Sequence, residues 1–168
     1  VREIASGLKL ITAKKCDSQD ICFVKKGRYT DFLTARTPDA FSPGDFINQQ
    51  GAVLGRHNGI AGYTIGQRRG IGISFTEPLY VTKISARKNS ITLGREDDLY
   101  CSTLKATNVN FVSVERLQKP VRVTAKIRSA QQEQLVWAEQ ISLDEISVAL
   151  DFPQRAVTPG QAVVLYDG

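Results

Sequence analysis

Val121-Arg122-Val123-Thr124-Ala125-Lys126-Ile127-Arg128 alternates apolar and polar side chains without a break. Successive side chains of a strand point to opposite faces. The octet therefore predicts a strand with Val121, Val123, Ala125 and Ile127 on a core face, and Arg122, Thr124, Lys126 and Arg128 on a wet, basic one. Outward from it, a mostly period-two pattern predicts further strands at residues 46–48, 52–54, 79–85, 90–93, 108–112, 134–140, 146–152 and 161–166. Turn chemistry separates them, as in Arg87-Lys88-Asn89 and Thr158-Pro159-Gly160. Many short strands at regular spacing predict a mainly β chain built as a barrel or sandwich. Two segments differ. Ile4, Ala5 and Leu8 have helical spacing, with Gly7 near the close of that helix. Residues 29–33 predict one or two helical turns, and residues 9–24 between them read as extended.

The bulk numbers bound the class. The chain has 168 residues, enough for one ordinary domain or two small ones. A net charge of +5 fits a polyanionic partner without requiring one. No apolar run approaches the ~20 residues that span a bilayer, and Val1-Arg2-Glu3 leads into no apolar signal segment. No membrane role is therefore expected. The three cysteines, Cys16, Cys22 and Cys101, are an odd and sparse set. They point to a reducing cytoplasm and away from a secreted disulfide scaffold. The absence of methionine, even at position 1, leads to the expectation of a fragment.

Several residues are candidates for chemistry, each with a plainer reading beside it. Cys22 lies between Ile21 and Phe23, with Lys14, Lys15, Lys25 and Lys26 flanking it. Nearby cations favour a reactive thiolate, and the apolar neighbours equally fit a small buried hydrophobe. Cys101 reads as structural. The single histidine, His57, has no Cys or His at ligand spacing, so no metal is expected; it reads as a structural hydrogen-bonding residue. Residues 51–75 hold Arg56, Arg68 and Arg69, recurrent glycines and no acidic residue. Glycine admits close approach to a phosphate and arginine neutralises one, while a tight structural loop explains the pattern equally well. Gly66, Gly70 and Gly72 match neither a dinucleotide fingerprint nor a P-loop.

Three blocks carry a resemblance: Asp17-Ser18-Gln19-Asp20-Ile21-Cys22-Phe23, then Gly62-Tyr63-Thr64-Ile65-Gly66-Gln67-Arg68-Arg69-Gly70-Ile71-Gly72, then Ala156-Val157-Thr158-Pro159-Gly160-Gln161-Ala162-Val163. In order and approximate spacing they resemble the tRNA-specific 2-thiouridylase (MnmA/TrmU) family over essentially the whole chain. The resemblance implies a small central β unit followed by a C-terminal β-barrel. Before these it implies a short helical and extended N-terminal remnant of a missing α/β PP-loop domain. The expected boundaries are residues 1–31, 32–98 and 99–168.

The implied function is part of a tRNA-uridine 2-sulfurtransferase that thiolates the wobble uridine at C2, using ATP-dependent adenylation and a cysteine persulfide. ATP is then bound by the missing PP-loop domain and not by these residues, and the fragment alone is expected to be inactive. The expected partners are tRNA and a sulfur-relay donor protein. The resemblance makes Cys22 the persulfide cysteine, whose partner cysteine later closes a disulfide. It makes Arg128, Ser129 and Gln161 tRNA contacts. The basic strand face adds Lys126, and the glycine-rich segment adds Arg68 and Arg69. Departures from the family pattern are Arg56, where an acidic residue is common, and Ser129, where an aromatic is common. Cys16 is not a family residue, and the family usually continues past Asp167-Gly168 into a final strand. The alternative function is a non-enzymatic RNA-binding module with a translation-factor-like barrel and a bland Cys22. A stand-alone persulfide carrier is a third.

Overall fold

A computed structural model of the chain describes residues 2–10 and 29–167. Cys16, Cys22 and the extended reading of the segment around them lie outside the described residues. The chain forms two compact units, Val1–Pro38 and Asp39–Gly168.

The first unit contributes helix α1 (Arg2–Gly7) and helix α2 (Tyr29–Arg36). Glu3 sits in the first turn of α1, where the helix dipole favours a carboxylate. Lys9, rather than Gly7, takes the left-handed conformation that stops α1, at φ 52°. The amides of Lys9 and Leu10 turn back to the carbonyls of Ser6 and Ala5, both at 3.0 Å, satisfying the last turn. At the end of α2, Thr37 bonds Leu33 O through both its amide and its hydroxyl, at 2.8 and 3.0 Å. Pro38 follows, and proline disfavours helix in the residue before it.

The second unit holds two sheets. Strands β1 (Gly44–Ile47), β2 (Val53–His57), β3 (Tyr80–Ser85) and β4 (Ser90–Gly94) form the first, in the order β2-β1-β4-β3. The β1–β4 pairing is parallel and the other two are antiparallel. Its core gathers Phe46, Ile71, Val81, Ile91 and Leu93. Strands β5 (Tyr100–Thr107), β6 (Val121–Lys126), β7 (Gln134–Ser142), β8 (Glu145–Arg155) and β9 (Val164–Tyr166) form the second, antiparallel throughout, in the order β5-β8-β7-β6-β9. One core collects Leu104 from edge strand β5 with Ala125, Val136, Val148 and Leu150, and Leu165 from the opposite edge packs against it. Side chains from both edges can meet only if the sheet curls, as the barrel expectation requires. The chain is mainly β, as the alternation predicts.

One strand expectation fails, and one strand is unforeseen. Residues 108–112 are not a strand: Asn108 turns the chain at φ 57°, and Val112 is almost fully exposed. Val109 and Phe111 still pack on the second core, which accounts for their apolar alternation. Tyr100–Thr107 is a strand that the pattern did not predict. It is an edge strand burying only Leu104, so it has no alternation to show. The predicted strand at 161–166 is shortened to β9.

A small shared core joins the two sheets. Tyr80 of β3, Leu99 just before β5 and Ala156 just after β8 are buried together, with Ile65 against them. The bond from Ala156 N to Leu99 O, 2.8 Å, fastens the same place.

Candidate functional site

The arginine that closes the basic octet and the glutamine of the Thr-Pro-Gly-Gln turn lie on one cleft. The chain bends out of β6 at Ile127 and places Arg128 at the rim. From the other side, the turn after β8 brings Thr158 and Gln161 to the same cleft, with Arg155, Gln131 and Gln154 completing it. The enclosed space is about 40 Å³, room for a few waters or an oxyanion's edge rather than a nucleobase.

The walls are held by hydrogen bonds. Ala156 is the pivot, in left-handed conformation at φ 53°. Its carbonyl accepts from Arg128 Nη2 and, at 3.0 Å, from the Thr158 hydroxyl. Three glutamine amides form a ladder: Gln131 Nε2 donates to Gln154 Oε1, and Gln154 Nε2 donates to Gln134 Oε1 at 3.1 Å. At the ends of the ladder, Gln131 Oε1 and Gln134 Nε2 are buried with no partner among the described residues. Native interiors seldom leave such atoms unmet, so both ends of the ladder have room for a further partner, and of the two only Gln131 lines the cleft.

Charge divides the expected contact residues. Arg128 donates to a backbone carbonyl and makes no ion pair among the described residues. Ser129 follows it in the exposed turn. Lys126 does not line the cleft. It lies on the outer face of the sheet, 3.3 Å from Glu133 and over the Tyr166 ring. Arg122 on the same face pairs through both terminal nitrogens with Asp151, one contact measuring 2.7 Å. This hydrogen bonding holds the Asp151 carboxyl below its ordinary pKa and raises that of Arg122. The octet's wet face is thus largely neutralised by its neighbours.

Arg68 and Arg69 are exposed on the glycine-rich loop between β2 and β3, with no carboxylate at ion-pair distance among the described residues. The loop backbone is fixed. Gly66 N bonds Val81 O at 2.8 Å, and Val81 N bonds Gln67 O at 2.9 Å. The Gln67 side chain accepts from Thr64 N at 3.0 Å and donates to Arg69 O at 2.9 Å. The loop is therefore both structural and basic. Arg56 lies opposite Asp45 across β1–β2, 3.8 Å away, so its charge is partly met there.

The remaining candidates behave as structural groups. His57 is buried, accepts from Gly59 N at Nδ1 (3.0 Å) and lies 3.3 Å from Asn89 O at Nε2. Nδ1 as acceptor fixes the neutral tautomer with the proton on Nε2. Burial raises the Cys101 thiol pKa, away from thiolate reactivity. No group of metal-ligating side chains occurs among the described residues. No described helix is long and apolar enough to cross a membrane.

Sequence reading missed Arg155, Gln131 and Gln154. A signal existed for two of them, since Gln154-Arg155 directly precedes the block that begins at Ala156.

Comparison with known proteins gives consistent matches. A tRNA methyl transferase PRC-barrel domain model matches residues 30–95, and an aminomethyltransferase beta-barrel domain model matches residues 101–168. The tRNA-specific 2-thiouridylase MnmA of Acetivibrio thermocellus is 44% identical over 168 residues, which are all of this chain and 47% of that protein. An MnmA of Caldanaerobacter subterraneus is 46% identical over the whole chain and 46% of its own length. The MnmA of Clostridioides difficile is 42% identical over the whole chain, again 46% of its length. The chain spans about half the length of the curated relatives it matches.

Proposed function

The chain belongs to the tRNA-specific 2-thiouridylase family, corresponding to its central and C-terminal part, and from this premise we propose that it holds tRNA for C2 thiolation of the wobble uridine in a tRNA-uridine 2-sulfurtransferase. The observation that carries the reading is the cleft that unites Arg128, Thr158 and Gln161. Arg128 supplies a positive fork without a carboxylate partner, suited to phosphate oxygens. Gln161 and the Ser129 hydroxyl add donors and acceptors for ribose or base edges. Arg68 and Arg69 extend the basic surface along the loop. Lys126, engaged with Glu133, contributes less.

Cys22 carries the sulfur in this reading. The outer sulfur of a Cys22 persulfide, favoured as an anion by the lysines adjacent in sequence, attacks C2 of a uridine whose oxygen has been adenylated, and the C2–O bond breaks as AMP leaves with that oxygen. A second thiol then releases the sulfur by closing a disulfide with Cys22. In this reading ATP belongs elsewhere, in keeping with a glycine-rich loop that leads into strand β3 rather than into a helix N-terminus that could cradle phosphates. Activation is therefore assigned to the PP-loop domain, and a sulfur-relay protein supplies the persulfide.

Arg128→Ala tests the cleft. We expect tRNA affinity to fall roughly three- to tenfold and the dependence of log K on log salt to become shallower by about 0.7–0.9, one phosphate contact. Unchanged affinity and slope would remove the cleft from the RNA surface. Cys22→Ser tests the chemistry separately. In the full-length enzyme it should abolish thiolation while tRNA binding persists, and near-normal thiolation in a defined persulfide-dependent assay would overturn the assignment.

A further inference from the structure

We propose that Arg155 is a second arginine contact to RNA phosphate in the cleft, positioned by Glu96, Tyr80 and Gly66 across the junction of the two sheets. This rests on the reading of the cleft as an RNA site and goes beyond it in naming the residue and its supports.

Arg155 ends β8 and is paired with Tyr100, so its backbone is fixed on one side by the ladder. On the other side Ala156 is tied to Leu99 and accepts from Arg128 and Thr158. The two arginines therefore reach one cleft from either side of a single anchored residue. The Arg155 side chain is also held. Its Nε donates to Glu96 Oε1 at 3.3 Å, and its guanidinium lies over the Tyr80 ring, 5.6 Å from the centroid. The Tyr80 hydroxyl reaches the other oxygen of Glu96 at 3.5 Å. Gly66 closes the remaining side. A Cβ there would lie 3.0 Å from the Ala156 Cβ and 3.6 Å from Arg155 Nη1, and its φ of +88° disfavours any other residue.

A guanidinium carries five N–H donors in a planar fork. Glu96 engages the Nε–H, and both terminal nitrogens have no hydrogen-bond partner among the described residues. The side chain is 40% exposed, so these donors are accessible. As an exposed ion pair, Arg155–Glu96 adds little to stability. What the pair does provide is orientation: a fork already fixed loses less rotamer freedom when it takes two oxygens of one phosphate. Arg128 and Arg155 against the single Glu96 carboxylate leave the cleft net positive.

The test is tRNA affinity of the chain, measured by anisotropy from about 50 to 200 mM salt, the range over which phosphate contacts weaken measurably. Arg155→Ala should bind about three- to tenfold more weakly, with a salt slope shallower by about 0.7–0.9. Arg155→Lys keeps the charge and loses the fork, so its slope should stay near wild type while affinity falls. Glu96→Gln separates positioning from simple charge. Removing a carboxylate near RNA should tighten binding if only charge matters, and should weaken it if Glu96 orients Arg155. If Arg128→Ala weakens binding and Arg155→Ala does not, the proposal is overturned and the cleft stands. If neither matters, the RNA reading of the cleft itself fails. Thermal unfolding accompanies each variant. Should Arg155→Ala fail to fold, wild-type affinity in Arg155→Lys overturns the forked contact. Tighter binding by Glu96→Gln overturns the positioning role.

Discussion

His57 is the chain's one histidine, and desolvation by burial holds its pKa below the ordinary 6.5. As pH drops past about 6.5 the unfolded chain takes up a proton that the folded imidazole refuses. The stability contribution is therefore complete above that pH and declines as pH falls toward the depressed folded value. Melting curves between pH 8 and 5.5 should show a steeper loss for wild type than for His57→Asn, by at most about 1.4 kcal/mol per pH unit for one proton. Parallel curves would show that another group governs this range. Gly44 sits against the same ring. A Cβ there would fall 2.1 Å from Asn89 O and 2.7 Å from His57 Nε2. One of those atoms is backbone and the other is a packed ring, so neither yields easily. Gly44→Ala should destabilise by about 3 kcal/mol or more in urea unfolding. A change below about 1 kcal/mol would mean that the start of β1 shifts freely. Lys126→Ala, by contrast, removes a charge already engaged with Glu133, and should weaken tRNA binding less than Arg128→Ala does in the same assay.

Strand β7 displays its two faces most openly. Val136 and Ala138 are fully buried, while Leu135 and Trp137 are about half exposed on the outer face beside Arg122. Val136→Ala should destabilise the chain by about 2 kcal/mol, from lost burial and the cavity left behind. Leu135→Ala should change it by under about 0.5 kcal/mol. Equal effects in denaturant titrations would mean that the outer face is covered in solution. The same contrast explains which elements sequence reading recovers. Strands β7 and β8 alternate buried residues with more exposed ones over much of their length, and β6 turns Ala125 and the half-buried Val123 to the core, so all three announce themselves. Strand β5 has one neighbour and one buried side chain, so nothing in its composition distinguishes it from a loop. The segment from Asn108 to Val112 alternates because two side chains dock on a core, not because its backbone is extended. At the candidate cleft, Arg128 and Gln161 stand out in the sequence because each lies in or beside a recognisable run. The partnership of Arg155 with Glu96 was not, since it joins positions 59 apart and depends on Tyr80 and Gly66 as well.

Across the whole second unit, the junction of Tyr80, Leu99 and Ala156 makes the two sheets mechanically dependent. Trp137, the single tryptophan, belongs to the second sheet, so its fluorescence reports that sheet alone. Gly44→Ala strains only the first sheet, yet should lower the Trp137 midpoint as much as the circular-dichroism midpoint. An unshifted Trp137 transition would show that the sheets melt separately. The parallel pairing of β1 with β4 has a different consequence, one of timing. Asp45 pairs with Ser90, whereas β3 and β4 are joined by a tight turn in which Asn89 N bonds Ala86 O at 3.2 Å. Closing a long loop is entropically slower than closing a short one, and parallel strands cannot zip from a turn. The β3–β4 hairpin should therefore be structured in the rate-limiting transition state, with β1 added afterwards. Ile91→Val should slow refolding, and Ile47→Val should chiefly speed unfolding. On a ribosome, β1 is made early and can pair with β2, but it has to wait for β4, leaving Phe46 without Val81, Ile91 and Leu93 while the intervening chain is synthesised.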